Sequence, residues 1–479
     1  MNTGMNLRKI EKPFAFIIFG ASGDLAQLKI FPSIYSLAEQ KRLPKEYIII
    51  GFARSHFEES AFRELFAQSV RKHFKEGTNE AVLEEIVSHV TYISGQYGDS
   101  VAYERLKTVI IKHDHHKQWQ KVIYLAIPPT VFDTVAANVA VIREKNEEIK
   151  IIIEKPLGVD STSARHLFHQ ISLHFNEAEI YLLDHYLGKE AIQSILSLRY
   201  ANRMLNHMLT GSEIANIQIT AFENIGVGKR LGYFDEVGII RDMIQSHLLQ
   251  VLALVTMSIP VKESALSFQR EKNNVLASLH FADKIRNPLC IGQYASYRQE
   301  AEQVKNSTTE TFAAMTLFID QVHWYNVPIF IRTGKKMAKK RTEVVIEFKK
   351  LPFQKADLPP NRLILNIQPH EQIEIQLLNK VGGTHTAYRT LTTSDSLACF
   401  GDDCLPEHAR LLMDVIQGRK MFFLSFQEVL ACWDLIDEVI AYKNAKPSAL
   451  ITYPDGAAEI SEANELPETF GFNWYAHAG

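Results

Sequence analysis

Residues 184–189, Asp-His-Tyr-Leu-Gly-Lys, place four side chains with useful chemistry within six positions. An imidazole, a phenol and an ammonium group can together hold a phosphate, through hydrogen bonds and opposite charge. If the segment is helical, His185 and Lys189 share one face, because residues four apart are neighbours on a helix. A polar helix start with Asp184 as its N-cap would explain Asp184 but not the other three side chains. We therefore predict an anion site that includes His185, Tyr186 and Lys189.

His247 is a second candidate, because it lies in the mostly apolar helical pattern of residues 235–255. A lone histidine in such a pattern is more often a core residue with satisfied hydrogen bonds. A partly buried histidine near a carboxylate can instead accept a proton from an alcohol near neutral pH. Asp242 precedes His247 by five residues, about 140° around an ideal α-helix, so we do not expect Asp242 to orient it.

Two further segments could add positive charge to a site. In residues 151–158, Ile-Ile-Ile-Glu-Lys-Pro-Leu-Gly, Lys155 stands where the strand pattern of residues 150–154 ends, and strand ends face the ligand crevice in open α/β sheets. Five of the seven residues 335–341 are basic, in a predicted hairpin between two strands. The alternatives are that Lys155 lies in a solvated turn and that the basic run forms a solvated face. Since the net charge is only −3, the basic run points to a local anion site rather than a general attraction for anions.

The turn at residues 20–26, Gly-Ala-Ser-Gly-Asp-Leu-Ala, follows a strand pattern and precedes a helical one. Its spacing, G-x-x-G-x-x-A, differs from the usual dinucleotide fingerprint, G-x-G-x-x-G. Glycines let backbone N–H groups approach a pyrophosphate, and the following helix N-terminus adds favourable partial charge. A plain tight turn is the alternative. If the turn is a phosphate cradle, the residues that form it are Gly20, Ala21, Ser22, Gly23, Asp24 and Leu25.

The end of the second strand distinguishes the two nicotinamide coenzymes. NAD sites usually place a carboxylate there to bind the ribose 2′-hydroxyl, but here the strand ends in Arg54. A guanidinium can clamp a 2′-phosphate with paired hydrogen bonds, whereas a carboxylate would repel it. An exposed arginine in a loop is the alternative. Together with the glycine turn, Arg54 favours NADP over NAD.

The elements that must position these residues fall into two patterns, which divide the chain into predicted domains at 1–185 and 186–479. The first alternates strands with helices, which indicates a Rossmann-like, doubly wound parallel sheet. The second begins with long helical patterns at 185–206 and 236–257. Closely spaced strand patterns then predict an α+β domain with a large, mostly antiparallel or mixed sheet. A terminal helical pattern covers 406–443.

Composition limits the partners and the compartment. The net charge of −3 over 479 residues gives no expectation of nucleic-acid binding. No apolar run is long enough to span a bilayer and no signal peptide is recognisable, so we expect a cytoplasmic protein without a membrane partner.

Four cysteines are too few for a disulfide framework. Cys399 and Cys404 are interpreted as two ordinary thiols rather than zinc ligands, and no metal site is expected.

Taken together, the motifs resemble one family, glucose-6-phosphate dehydrogenase. Its matches here, over roughly residues 16–350, are GASGDLA, IIGFARS, AIPPTVF, IIEKPLG, DHYLGKE, GYFDEVGIIRDMIQSHLLQ and VPIFIRTGK. DHYLGKE is the most specific of them. The glycine spacing of the turn is also the family's own pattern. Similarity to the end of the chain is weaker.

The resemblance implies oxidation of C1 of glucose 6-phosphate to the 6-phosphogluconolactone, with hydride transfer to NADP. His247 matches the general base, and Asp184 matches the carboxylate that pairs with that base and stabilises its charged form. The resemblance also implies a homodimer or homotetramer. The residues that match the phosphate-binding group are His185, Tyr186 and Lys189. Those that match contacts with the sugar or its phosphate are Lys155, Glu223, Asp242, Lys335 and Lys340. Those that match coenzyme contacts are Gly20 to Leu25, Arg54, Lys155 and, less closely, Gln96 and Tyr97.

Several positions depart from the family pattern. Ser246 replaces an asparagine before the base, Leu231 replaces a glycine, and Phe132 replaces a tyrosine. Gln27 and Leu28 replace basic residues after the glycine turn, which could weaken binding of the coenzyme phosphates. None of these positions belongs to the expected base, its partner or the phosphate group.

Two other functions compete with this interpretation. Another sugar oxidoreductase with a Rossmann-like domain could share the Glu-Lys-Pro strand end, but it would lack DHYLGKE and the Ser-His-Leu-Leu-Gln helix. A sensor or scaffold that binds NADP without catalysis would be expected to have lost His247 or Asp184, and both are present.

Overall fold

The computed structural model describes residues 8–114, 119–144, 148–355, 357–384, 387–399, 404–446 and 450–476. The chain forms two compact units. The first contains the described residues up to Gly158, then Thr162–Gly188 and the described part of Cys399–Phe426. The second contains the remaining described residues. The segment after Cys399 had been predicted to belong to the second domain. It lies in the first unit because Ala409, Leu411 and Leu412 belong to that unit's hydrophobic core.

The first unit is built on six parallel strands, as predicted from the alternating pattern. They are β1 Phe14–Phe19, β2 Tyr47–Ala53, β3 Val90–Ser94, β4 Gln120–Leu125, β5 Ile149–Glu154 and β6 Ile180–Leu183. Their order is β3-β2-β1-β4-β5-β6, and every neighbouring pair is parallel. Most of their residues are buried, as expected when helices cover both faces of a parallel sheet. The order reverses between β1 and β4, the point where such sheets bind ligands.

Helices connect these strands, as the alternating pattern predicted. They are Ala26–Ile30 with π-type turns, then Phe31–Glu39, Glu59–Phe74, Glu80–Ser88, Ser100–His113, Phe132–Ile142 and Ser161–Ser172. The helix Glu407–Ile416 comes much later in the chain and also lies in this unit. Local side chains explain two of the starts. Asn79 accepts a hydrogen bond from the Val82 amide and Asp99 accepts one from the Val101 amide, which satisfies donors that have no partner within the helix.

The second unit carries a mostly antiparallel sheet that contains ten strands within the described residues. They are β7 Ile214–Phe222, β8 Leu279–Phe281, β9 Leu289–Tyr294, β10 Phe312–Ile319, β11 Ile329–Gly334, β12 Arg341–Phe348, β13 Arg362–Gln368, β14 Gln372–Lys380, β15 Tyr388–Ser396 and β16 Leu450–Tyr453. The order is β15-β14-β13-β12-β7-β11-β10-β9-β16, with β8 paired to β10. The predicted sheet type is confirmed. Strands β8, β9, β15 and β16 were not predicted from the sequence.

The predicted hairpin between β11 and β12 is wrong. Strand β7 lies between them, parallel to β11 and antiparallel to β12. Residues 335–340 therefore cross the end of β7 instead of making a tight turn. Sequence proximity suggested direct pairing, but an earlier strand occupies the place between the two.

The helices of the second unit are shorter than the sequence pattern indicated. They are Glu190–Ala201, Arg203–Met208, Leu231–Ile239, Ile240–Leu248, Leu249–Thr256, Ala265–Leu276, Phe426–Ala445 and the short Glu465–Glu468. Gly238 interrupts the long pattern with φ +73°, and a Cβ there would lie 2.3 Å from Glu310 Oε1. The predicted terminal helix is two helices. Among the described residues, no helix combines the length and hydropathy needed to cross a membrane.

Cys399 and Cys404 form a disulfide, which corrects their interpretation as two thiols. Their Cα atoms are 5.5 Å apart, within the range that a disulfide requires. Cysteine count argued against a framework of several bridges, but it could not exclude one local bridge. Cys290 and Cys432 are buried thiols.

Candidate active site

The glycine turn lies at the carboxyl end of β1. Gly20 has φ +83°, and a Cβ there would lie 2.1 Å from the carbonyl oxygen of Ala126, so only glycine fits. The Gly20 amide donates to the Phe52 carbonyl at 2.8 Å, and the Gly23 amide donates to the Gly20 carbonyl at 2.9 Å. The turn is therefore closed by its own backbone and fixed against β2 before any ligand binds.

Arg54 follows β2 and is exposed at the same edge of the sheet. Its guanidinium carbon lies 5.7 Å from the centre of the Tyr97 ring, and burial raises the pKa of the Tyr97 phenol, so that it remains protonated. The neighbouring Ser55 hydroxyl lies 3.1 Å from the hydroxyl of Ser22 in the glycine turn. The turn and the arginine thus lie beside each other at the carboxyl edge of the first sheet. Gln96 is exposed next to Tyr97.

Lys155 directly follows β5, at the strand end where it was predicted. The preceding residue, Glu154, accepts a hydrogen bond from the buried phenol of Tyr124 and lies 3.3 Å from His408 Nε2. His408 was not predicted from the sequence, because it lies 254 residues after its partner. The local pattern gave no signal for it, since its helix carries several polar residues.

Residues 184–189 do not form the single helix assumed for an i, i+4 face. His185–Gly188 is a 3₁₀ turn, and Lys189 has extended backbone, φ −70° and ψ 138°, before the helix Glu190–Ala201. Asp184 caps the turn, accepting from the Tyr186 amide at 3.0 Å. His185 and Lys189 are therefore not related as neighbours on one helix face. Tyr186 and Lys189 are buried, and His185 is half-buried.

In the second unit, three predicted contact residues come together. Lys335 follows β11, Glu223 follows β7, and Asp242 lies in the helical segment Ile240–Leu248. The Lys335 ammonium contacts the Glu223 carboxylate and lies 3.7 Å from Asp242 Oδ2. Lys335 is 2% exposed, so its ammonium group is desolvated. Glu223, its partner, remains partly exposed.

The rest of the basic run does not form one anion patch. Lys336 lies 3.0 Å from Asp455 and 3.4 Å from Glu300, so its charge is already paired. Lys340 is exposed and is not part of the Lys335 cluster within the described residues. Lys335 and Lys336, adjacent in sequence, thus pair with different carboxylates.

His247 is 1% exposed and lies in the π-helical segment Ile240–Leu248. Because π-helices bond i to i+5, residues five apart lie nearer to one face than on the ideal α-helix assumed for Asp242 and His247. The geometric reason for separating these two residues was therefore wrong. Turns of the π type are rare in proteins as a whole, but those that occur are often found at functional sites.

Glu310 holds the start of this segment. Its carboxylate is fully buried, accepts from the Ile240 amide at 3.4 Å and pairs with Lys443. Glu310 was not predicted from the sequence. Gly238 was the available signal, because a glycine inside a helical pattern often marks a place where another group packs closely against the backbone.

Two family models match the chain and cover most of it. The model for the glucose-6-phosphate dehydrogenase NAD binding domain matches residues 17–194, and the model for the glucose-6-phosphate dehydrogenase C-terminal domain matches residues 196–475. The chain belongs to the glucose-6-phosphate dehydrogenase family. The family resemblance in the sequence motifs is thereby confirmed.

Relatives match over nearly their whole length. Glucose-6-phosphate 1-dehydrogenase 2 of Mycobacterium tuberculosis H37Rv is 33% identical, over 91% of this chain and 89% of the relative. The Dickeya dadantii glucose-6-phosphate 1-dehydrogenase is 33% identical, over 88% and 90%. A solved glucose-6-phosphate dehydrogenase in complex with its substrate glucose 6-phosphate has a TM-score of 0.90 at 30% identity. That match covers 98% of this chain and 100% of that one.

Proposed function

We propose that this chain oxidises C1 of glucose 6-phosphate to 6-phospho-D-glucono-1,5-lactone with NADP+, with His247 as general base and Asp184 as its partner. The match to both family models over residues 17–194 and 196–475 carries the reaction and the coenzyme. The residue roles rest on the motif matches together with the burial and contacts of each side chain.

The coenzyme would lie along the carboxyl edge of the first sheet. The amides of Gly20 and Gly23 already donate within the protein, so we assign the pyrophosphate contacts to Ser22, Asp24 and Leu25. Arg54 would bind the 2′-phosphate, with Tyr97 and Gln96 beside it. When bound, NADP+ supplies the acceptor for the hydride that leaves C1.

The substrate phosphate would be held by His185, Tyr186 and Lys189. Burial of Tyr186 and Lys189 strengthens their charge-assisted hydrogen bonds, since little water competes for the phosphate oxygens. The sugar hydroxyls would contact the cluster of Lys335, Glu223 and Asp242, which offers both donors and acceptors. Lys155 and Lys340 complete the proposed set. Lys155, which directly follows β5, is assigned to both the coenzyme and the sugar, and the exposed Lys340 is assigned to the substrate.

His247 would take the proton of the C1 hydroxyl while the hydride leaves the same carbon. A buried imidazole that becomes charged needs a nearby anion, and a carboxylate partner both orients the ring and stabilises the imidazolium. Asp184 is assigned that role: one of its oxygens caps the 3₁₀ turn, which fixes the carboxylate group.

The decisive assay mixes the purified chain with glucose 6-phosphate and NADP+ and records NADPH absorbance. Turnover that requires both compounds supports the proposal. Absence of turnover with retained NADP+ binding would favour a sensor or scaffold. Turnover with another sugar phosphate alone would favour the competing oxidoreductase.

A homodimer or homotetramer is the proposed assembly. Strand β15 is an edge strand whose nine residues are all exposed, and proteins usually protect such long edges by covering or pairing them. Light scattering on the purified chain measures the assembly, and a monomer at micromolar concentration would contradict it.

A further inference from the structure

The helix Glu407–Ile416 comes late in the chain but lies in the core of the first unit. Its apolar residues Ala409, Leu411 and Leu412 are fully buried there. The same helix also carries His408 and Arg410, whose polar groups reach two of the sequence motifs. Neither of these residues has a role in the function proposed above.

His408 joins a buried set of hydrogen bonds around Glu154. Its Nε2 atom lies 2.9 Å from the Tyr124 hydroxyl and 3.3 Å from Glu154 Oε1, and its Nδ1 atom lies 2.9 Å from the Ser33 hydroxyl. The Tyr124 hydroxyl donates to the same Glu154 oxygen. With the proton on Nε2, the ring donates toward Tyr124 and Glu154 and accepts from Ser33, so every group in the set is satisfied.

These contacts keep the Glu154 carboxylate charged and in one orientation. Burial alone would raise the pKa of Glu154, but the hydrogen bonds from His408 and Tyr124 hold that pKa below its ordinary value. A buried carboxylate that loses a donor is costly and tends to reorient. Glu154 is the last residue of β5, so holding its side chain also holds the backbone from which Lys155 projects.

Arg410 makes the second connection. Its guanidinium donates to the Gly188 carbonyl at 2.9 Å and to the Leu405 carbonyl at 3.2 Å. A Cβ at Gly188 would lie 2.7 Å from the Glu407 carbonyl oxygen, so the helix start packs directly against this glycine. The 3₁₀ turn His185–Gly188 thus ends against the helix.

We propose that the helix Glu407–Ile416 is a positioning element for the substrate site. Through His408 and Tyr124 it orients Glu154 and thereby Lys155, and through Arg410 it holds the turn that carries His185 and Tyr186. This inference rests on the proposed function for the roles of those side chains. A purely structural role would lower stability without changing the kinetics of the folded enzyme.

Steady-state kinetics of matched tyrosine variants test this inference. Tyr124→Phe removes one donor to Glu154. The control is Tyr35→Phe, because Tyr35 is as deeply buried in the same unit as Tyr124. The Tyr35 hydroxyl instead donates to Glu39 and accepts from the Asn79 amide. We expect Tyr124→Phe to lower kcat/KM for glucose 6-phosphate about tenfold or more, because small misplacements of positioned groups are costly. Tyr35→Phe should lower Tm and leave kcat/KM within about twofold of wild type, since its hydroxyl is remote from the motifs.

Two histidine variants complete the comparison. His408→Leu removes the donor and should lower kcat/KM about ten- to a hundredfold, whereas His408→Gln keeps an amide donor and should recover most of that loss. Equal kinetic constants for the Tyr124 and Tyr35 variants, or no recovery with His408→Gln, would overturn the proposal. Wild-type enzyme without glucose 6-phosphate oxidation would instead refute the proposed function. In that case, calorimetry of glucose 6-phosphate binding to the same variants would still test whether the helix Glu407–Ile416 positions the site.

Arg410→Met tests the second connection. Because it loosens the turn that carries the phosphate-binding residues, we expect KM for glucose 6-phosphate to rise at least about fivefold with KM for NADP+ nearly unchanged. An equal rise in both constants, or none in a folded variant, would show that Arg410 does not position the phosphate site.

Discussion

Lys335 and Glu223, 112 residues apart, meet where the ends of β11 and β7 lie side by side in the large sheet. The two strands are parallel neighbours, so their following residues project from the same edge. Asp242 completes the cluster at 3.7 Å. One buried cation between two carboxylates can present both donors and acceptors to a polyhydroxylated substrate.

Lys335→Met should weaken substrate use and stability together. It leaves Glu223 and Asp242 without their shared cation, and breaking a buried ion pair leaves an uncompensated charge. We expect kcat/KM for glucose 6-phosphate to fall at least about tenfold and Tm to fall. Lys339→Met, at an exposed lysine of the same run, is the control. Equal kinetics for the two variants would remove Lys335 from the site.

His247→Asn should bind glucose 6-phosphate with nearly wild-type affinity but lose kcat by about 10²–10⁴-fold, the usual contribution of a general base. Calorimetry gives the affinity and NADPH production gives kcat. His207→Asn changes an exposed histidine and should leave both unchanged. If the His247 variant kept more than about a tenth of wild-type kcat, the base would have to be another group.

Arg54→Ala should raise KM for NADP+ far more than KM for NAD+, because only NADP+ carries the 2′-phosphate that a guanidinium can clamp. Initial rates with each coenzyme at saturating glucose 6-phosphate measure the two constants. Arg71→Ala, which removes an exposed arginine paired with Glu80, serves as the control. Similar losses with both coenzymes would assign Arg54 a structural role.

Lys189→Ala should reduce kcat/KM for glucose 6-phosphate about tenfold to a hundredfold, the usual effect of losing one charged hydrogen bond. Activity on free glucose should change much less, since glucose offers no phosphate. Both sugars are assayed under identical conditions. An equal loss on both would place Lys189 near C1 rather than at the phosphate.

Asp414 should make stability depend on pH. Burial raises the pKa of its carboxyl to about 6, against the attraction of Arg419, Arg8 and Arg410. Since the folded pKa exceeds the unfolded one, the stability that protonated Asp414 contributes is lost as pH rises through about 6. Asp414→Asn should therefore raise Tm relative to wild type at about pH 8 and less at about pH 5. Asp283→Asn, at an exposed position, should show no such trend, and a pH-independent Asp414→Asn effect would contradict the assignment.

The first sheet was largely predictable from the sequence. Strands buried on both faces are apolar runs, and the helices between them repeat with their own period, so both signals are local. The glycine turn, Arg54 and Lys155 follow individual strands, and parallel strands bring their carboxyl ends to one edge. Local order along the chain was therefore enough to predict that these residues lie at one edge of the first sheet.

Tertiary structure alone decided the rest, because those features depend on residues far apart in the chain. Strand β7 separates β11 from β12 and so brings Glu223 to Lys335. Gly238 and Glu310 divide one helical pattern, and π-type turns then change the face on which Asp242 and His247 lie. The helix Glu407–Ile416 comes late in the chain but packs into the core of the first unit, since burying its apolar face there stabilises the fold. That packing brings His408 to Glu154, a contact that no local pattern in the sequence specifies.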